Sequence, residues 1–160
     1  MILTIYTVVH VLISLVAIIS GFLVVFGWLF GKRREGGETL FLWTTVATSV
    51  TGFFFPFHGF KPSYAVGILS LVVLALAILA RNHDGLAGGW RVTYVVSSVI
   101  ALYFNVFVLI VQGFLKVPAL HALAPTQTEA PFKVAQLATL LLFIAAGVAA
   151  IKQFRVAPVL

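Results

Sequence analysis

The chain has 160 residues, of which 62% are hydrophobic and only 9% charged, and it contains no cysteine. A soluble domain of this length cannot hide so much apolar surface, so a water-soluble globule is excluded and lipid is the expected solvent. The formal net charge of +6 points to no nucleic-acid partner: in a chain this apolar, basic residues act as topology signals and as contacts for anionic lipid headgroups of the bilayer.

About 18 consecutive apolar residues suffice to cross a bilayer. Five stretches reach that length and predict a single all-α transmembrane domain over residues 1–160. The first covers roughly 2–28, too long for a signal peptide and with no basic region ahead of it. The second covers 40–57 and the third 64–80, the latter so short that it should stand nearly upright or sit in thinned lipid. The fourth covers 92–115 and the fifth 132–151. Lys32, Arg33, Arg34, Arg81, Arg91, Lys152 and Arg155 fall on one side of these spans, against Lys61, Lys116 and Lys133 on the other. That bias places the N-terminus outside and the C-terminus in the cytoplasm. The sequence shows no internal repeat and no domain boundary. The last outward loop, 117–131, carries Pro118, Pro125 and Pro131 and cannot be helical throughout; a lid and a plain linker both fit it.

In lipid, polar side chains turn toward other helices or toward water. The first span aligns His10, Ser14, Ala17 and Gly21 on one face, and the second aligns Thr44, Thr48, Thr51, Gly52, Phe55 and His58. The fourth aligns Tyr94, Ser98, Ala101, Asn105 and Gln112, and the fifth Gln136, Thr139, Ala146 and Ala150. The third offers Gly67 and Ser70 and then an aliphatic run. These stripes predict a core of the first, second, fourth and fifth spans with the third at the periphery, and small residues on them allow close helix approach. The threonines fit as packing groups bonded to their own helix backbone.

Three of the four histidines, His10, His58 and His121, fall toward the outward side, together with Gln112, Gln136 and Tyr6. An imidazole there can ligate a transition metal, ligate haem iron, or carry a proton. The candidate cofactor-binding residues are His10, His58, Asn105, Gln112 and Gln136, the last three as hydrogen-bond partners that orient a ligating imidazole. The candidate metal ligands are His10, His58 and His121. Phe53, Phe54, Phe55, Phe57 and Phe60 around His58 suit a flat aromatic ligand and equally suit lipid contact. His83, in Asn82-His83-Asp84-Gly85, reads as a solvated turn. With no cysteine and no serine in a nucleophile motif, no catalytic residue is assigned. Glu35, Glu38, Asp84 and Glu129 all fall in expected loops, which argues against a carboxylate-coupled transporter or pump. Gly36-Gly37 and Gly88-Gly89 lack the strand and lysine of a phosphate loop.

The segment from Phe104-Asn105-Val106-Phe107-Val108 through Pro118-Ala119-Leu120 to Leu123-Ala124-Pro125-Thr126-Gln127-Thr128-Glu129-Ala130-Pro131-Phe132 resembles one found in small bacterial polytopic inner-membrane proteins without an assigned activity. The first span with His10 and the Thr51-Gly52 end of the second are similar to the layout of that group. The resemblance implies a multi-pass bundle in the bacterial inner membrane, supplies no catalytic residue, and gives Asn105 and residues 125–131 more weight than His121. Three functional readings follow from the residues. One is a binding protein whose histidine-lined outward site holds a haem or a transition metal. Another is a structural, assembly or lipid-binding bundle with a membrane protein or a second copy as partner. The third is a small channel or carrier.

Overall fold

A computed structural model describes residues 1–55 and 62–154. Every regular element among them is helical: α1 (Ile2–Leu29), α2 (Glu35–Gly52), α3 (Pro62–Arg81), a 3-10 turn (Asp84–Leu86), α4 (Gly89–Lys116), the short α5 (Pro118–Leu123) and α6 (Ala130–Gln153). Local chemistry sets several of the boundaries. Gly31, at φ 66, takes the left-handed conformation after α1, and the Lys32 N–H bonds back to the Gly27 carbonyl at 2.8 Å. Glu35 and Glu38 occupy the first turn of α2, where carboxylates complement the helix dipole. Prolines open α5 and α6, whose first N–H groups need no helical partner.

The five long helices form a ring in sequence order: α1 packs along α2, α2 on α3, α3 on α4, and α4 on α6, which returns to α1. The helix α4 also touches α1 and α2 across the ring, and α5 folds back on α4. One end of the bundle gathers the C-terminus of α1, the N-terminus of α2, the C-terminus of α3, the N-terminus of α4 and the C-terminus of α6; we call it the Glu38 end. The opposite end carries His10, α5 and the 124–129 loop; we call it the His10 end.

Two expectations change. Among the described residues, four helices rather than five are long and apolar enough to cross a membrane: α1, α3, α4 and α6. The second expected span, α2, begins at Glu35 instead of residue 40 and takes in both Glu35 and Glu38, which lowers its average apolarity. Its buried face is mixed: Glu38, Thr45 and Ser49 are buried beside Phe41 and Leu42, while Leu40, Trp43 and Val50 are exposed. The third helix is not peripheral either. Ser70, Leu74, Ala77 and Ala80 on α3 are buried, at steps of four and three along one face, and Ser49 Oγ donates to Ser70 Oγ at 3.1 Å. The peripheral helix is α6, where Ala150 is the one buried residue.

Burial is uneven along the bundle axis. From Ala17 to Trp28 on α1, Glu38 to Ser49 on α2, Ser70 to Ala80 on α3 and Tyr94 to Leu102 on α4, the helices enclose a tight core. Gly21 marks its closest point: a Cβ there would lie 2.5 Å from Leu102 Cδ1 and 2.8 Å from Phe41 Cε2. Toward the His10 end, only Phe114 and Ala124 are buried among the described residues beyond that core.

Candidate functional site

At the His10 end, the outermost turns of α1 meet the last turn of α2. His10 is half-buried, and its Nδ1 lies 2.8 Å from Thr51 Oγ1. The Thr51 hydroxyl has a single proton, and its other neighbours are the Ala47 and Thr48 carbonyl oxygens at 2.6 and 3.2 Å, which only accept. The hydroxyl can donate to one of these carbonyls while accepting from the imidazole, or donate to Nδ1 itself; in the first arrangement neutral His10 carries its proton on Nδ1 and Nε2 is a lone pair. The Tyr6 hydroxyl donates to the Thr51 carbonyl at 2.5 Å. The Phe55 ring stands edge-on to both His10 and Tyr6, with centroids 5.1 and 5.0 Å away. Gly52 leaves room for the imidazole, since a Cβ there would sit 3.8 Å from His10 Cε1.

The other expected site residues divide into helix ties and bystanders. Asn105 Nδ2 donates to Thr45 Oγ1 at 3.2 Å and joins α4 to α2. Gln136 Nε2 donates to the Phe107 carbonyl at 3.2 Å and joins α6 to α4, leaving its Oε1 buried without a donor. Gln112 is exposed on α4. His121, on α5, bonds to the Phe114 carbonyl through Nδ1 at 3.2 Å. His58 lies outside the described residues, as do Phe57 and Phe60. His10 and His121 are thus each tied to a different helix, one to α2 and the other to α4. Among the described residues, no group of three or more His, Cys, Asp or Glu side chains is placed to hold a metal ion. The 117–131 segment is tied down by Gln127 Nε2, which donates to the Val111 carbonyl at 2.9 Å. In the same segment the Thr126 hydroxyl bonds to Glu129 Oε1 at 2.8 Å and holds that exposed carboxyl below the usual carboxylate range.

The Glu38 end holds a second polar constellation, which the sequence did not reveal. Glu38 is fully buried in the first turn of α2 rather than in a loop. Its carboxylate accepts from Trp28 Nε1 at 3.0 Å and from Arg33 Nε at 3.3 and 3.2 Å, and Arg81 Nε lies 3.7 Å away. Arg81 Nη2 also donates to the Glu35 carbonyl at 3.1 Å and to Thr39 Oγ1 at 2.8 Å. One carboxylate thereby joins α1, the following loop, α2 and α3. Arg91 Nη1 completes this end by donating to the Ile151 and Phe154 carbonyls at 2.8 and 2.6 Å, which caps α6 with a cation. Trp28, Tyr94 and Phe154 pack as an aromatic cluster over the charges, with Trp28 centroids 5.4 Å from Tyr94 and 5.1 Å from Phe154. The signal available in the sequence was the Arg33, Glu38 and Trp28 spacing around a short turn. Without the pairing of α3 against α2, it reads as two surface charges and a tryptophan near a helix end.

Two features stand outside both constellations. Ser98 and Thr48 each present a buried hydroxyl with no hydrogen-bond partner. A groove of about 260 Å³ runs between α4 and α6, walled by apolar side chains including Val99, Tyr103, Phe143 and Val148, with Gly147 at its base. The chain matches no protein-family model, no curated protein and no solved structure.

Proposed function

We propose that the protein is a multi-pass protein of the bacterial inner membrane that binds a haem, or else a transition metal ion, at His10 near its outward face. In this reading α2 crosses the bilayer as well. Its exposed stripe of Leu40, Trp43 and Val50 meets lipid, and its polar stripe is sheltered by α1, α3 and α4. Lys32, Arg33, Arg34, Arg81, Arg91 and Lys152 gather at the Glu38 end, which supports that end as cytoplasmic and the N-terminus as outside.

The observation that carries the binding reading is the Thr51 tie. With the imidazole donating to Thr51, it commits Nδ1 of His10 and leaves Nε2 free to donate a lone pair. Ligating imidazoles typically show this arrangement, with the second ring nitrogen donating to an oxygen. A haem needs one axial imidazole, whereas a metal ion held by side chains usually takes three or four. Haem is therefore the first choice for a site built on one described histidine. The aromatic surfaces of Tyr6 and Phe55 suit a flat ligand. The purified protein should show a Soret band, and His10→Ala should abolish it while the bundle still folds. A stoichiometric metal without that band selects the metal ion. Full occupancy in a folded His10→Ala protein overturns the assignment.

The α4–α6 groove favours a second reading, a lipid-binding bundle without a cofactor. Its wall is apolar, it is open along the side of the bundle, and α6 is exposed along nearly all of its length. Native mass spectrometry of the protein in mild detergent tests this. Retained lipid lost on Gly147→Phe supports it, and an unchanged lipid count removes it.

A further inference from the structure

The groove between α4 and α6 has a definite place along the bundle axis. Its wall extends from Leu140 to Ile151 on α6 and from Val96 to Tyr103 on α4. At about 1.5 Å per residue, the α6 wall is about 16 Å long. Ile151 lies in the last turn of α6, at the Glu38 end, and Leu140 lies near the middle of that helix. A bilayer with a hydrocarbon core of about 30 Å has leaflets of about 15 Å each. The groove therefore matches the apolar depth of one leaflet, the one at the Glu38 end.

Cations surround that end of the groove. Arg91 Nη1 donates at 2.8 Å to the carbonyl of Ile151, itself a wall residue, and at 2.6 Å to that of Phe154. Its Nε and Nη2 make no bond among the described residues. Lys152 follows Ile151 in the chain and is exposed. Gly31 lies against the end of α6, since a Cβ there would be 3.8 Å from the Gln153 carbonyl oxygen, and this contact brings the exposed Lys32 to the same place. The carboxylates at this end are engaged elsewhere. Glu35 and Glu38 pair with Arg33, Glu38 also faces Arg81, and Asp84 meets His83. Among the described residues no carboxylate pairs with Lys32, Arg91 or Lys152. An apolar trough one leaflet deep thus ends beside three cations that lack a counter-charge.

We propose that the groove holds one acyl chain of an anionic phospholipid from the leaflet at the Glu38 end, with the lipid phosphate drawn to Arg91, Lys152 and Lys32. The proposal rests on the lipid-binding reading of the groove and names the headgroup class that reading leaves open. The apolar wall cannot choose among headgroups, because zwitterionic and anionic phospholipids can carry the same tails. The choice comes from charge. A zwitterionic headgroup sets a positive group beside its phosphate, which offsets the attraction, whereas an anionic headgroup leaves the attraction whole. Arg91 also offers geometry: Nε and Nη2 form a fork that suits two phosphate oxygens while Nη1 stays on the α6 carbonyls. Since Ala150 is the one buried residue of α6, a lipid seated in this way holds that helix against α4 where protein packing is thin.

Native mass spectrometry of the whole chain in mild detergent reads the choice directly. The probes are a phosphatidylglycerol and a phosphatidylcholine with identical acyl chains, supplied in equal amounts. The phosphatidylglycerol adduct should dominate by about tenfold, the order expected of a few basic side chains at a membrane surface. Lys32→Gln combined with Lys152→Gln should cut that preference about fivefold and leave the fold intact, because neither side chain makes a bond among the described residues. Arg91→Gln should cut it as well, and Arg91→Lys should restore most of it, which separates charge from the capping of α6. Gly147→Phe fills the base of the groove and should lower both adducts together; Gly147→Leu takes its place if the larger side chain disturbs the fold. Equal retention of the two lipids by the parent protein overturns the headgroup assignment and leaves the groove reading standing. Retention of neither lipid removes both. Phosphatidylglycerol held in full by a folded groove-filled variant puts the lipid elsewhere and overturns the proposal.

Discussion

The Glu38 end and the His10 end are built from the same five helices by different means. At the Glu38 end, side chains press directly on Gly21, Ala77 and Ala80 are fully buried, large side chains such as Trp28, Tyr94 and Phe41 fill the space, and one carboxylate ties three helices. At the His10 end, the described segments meet through scattered polar and aromatic contacts: His10 and Tyr6 to Thr51, Gln136 to Phe107, Gln127 to Val111, His121 to Phe114, and Phe114 against Phe132. In lipid the hydrophobic effect does not distinguish packed from exposed apolar groups, so helix association rests on close packing and on interhelical hydrogen bonds. One end uses both devices and the other mainly the second. A bundle with one tight end and one loose end can change shape at the loose end while keeping its fold. That suits the binding proposed at His10.

The largest test of that contrast is Glu38→Ala. It leaves Arg33 and Arg81 facing a buried gap, and removing one partner of a buried ion pair costs roughly 3–5 kcal/mol. Thermal unfolding in detergent should show the loss, and a change within experimental error would mean that the tight end is held by packing alone. A matched pair sharpens the comparison. Leu102 is fully buried in the tight core, whereas Leu137 on α6 is 56% exposed. Lipid already supplies the transfer part of the usual cost, so Leu102→Ala should lose mainly contacts and open a cavity, about 2 kcal/mol. Leu137→Ala should change stability by less than about 0.5 kcal/mol. Equal effects at the two positions would erase the distinction between the ends.

The helical class and most boundaries were legible because apolar runs of bilayer length have few other uses. The helix α2 was legible only in part. The inner face expected from Thr44, Thr48 and Thr51 is instead Glu38, Phe41, Leu42, Thr45 and Ser49, because the helix starts earlier and the charged Glu38 is drawn in by partners from other segments. The place of α3 was missed because its close contacts come from Ser70, Ala77 and Ala80, and alanine in an aliphatic run carries no polar signal. His10 was expected below the headgroup level and is half-buried, but its partner was not foreseen: the threonine stripe looked like self-bonded packing, and Thr51 both bonds its own helix and meets His10. Glu38 escaped notice for a topological reason. Its partners Trp28, Arg33 and Arg81 come from α1, a loop and α3, and only the packing of α2 between its neighbours brings them together.

At the loose end, Thr51→Val keeps the shape of the side chain and removes the acceptor for His10 Nδ1–H. The net value of one such bond is about 1 kcal/mol. The tautomer is the more specific readout. Nitrogen NMR of His10 should show the proton on Nδ1 in the parent protein, a shift toward Nε2–H in Thr51→Val, and the parent pattern again in Thr51→Ser. An unchanged tautomer in Thr51→Val would mean that something other than Thr51 orients the ring.

The smallest expected effect concerns the 124–129 loop. Glu129 accepts from the Thr126 hydroxyl and N–H at 2.8 and 3.2 Å and from the Thr128 N–H at 3.1 Å. The hydroxyl bond is the main reason that its carboxyl sits below the usual range, with partial desolvation working the other way. A carboxyl whose folded pKa is depressed adds stability above its unfolded value, near pH 4, and that contribution is lost as the pH falls through the folded value. The group is exposed, so salt and water screen the effect, and it should loosen the loop locally without melting the bundle. A carboxyl-carbon NMR titration should find the Glu129 pKa higher in Thr126→Val than in the parent. Acidification below about pH 4 should raise hydrogen exchange at Thr126 and Thr128 while exchange around Tyr94 and Leu102 stays slow. If both regions loosened together at the same pH, the two ends would be one cooperative unit, and the contrast between a tight end and a loose one would have no energetic meaning.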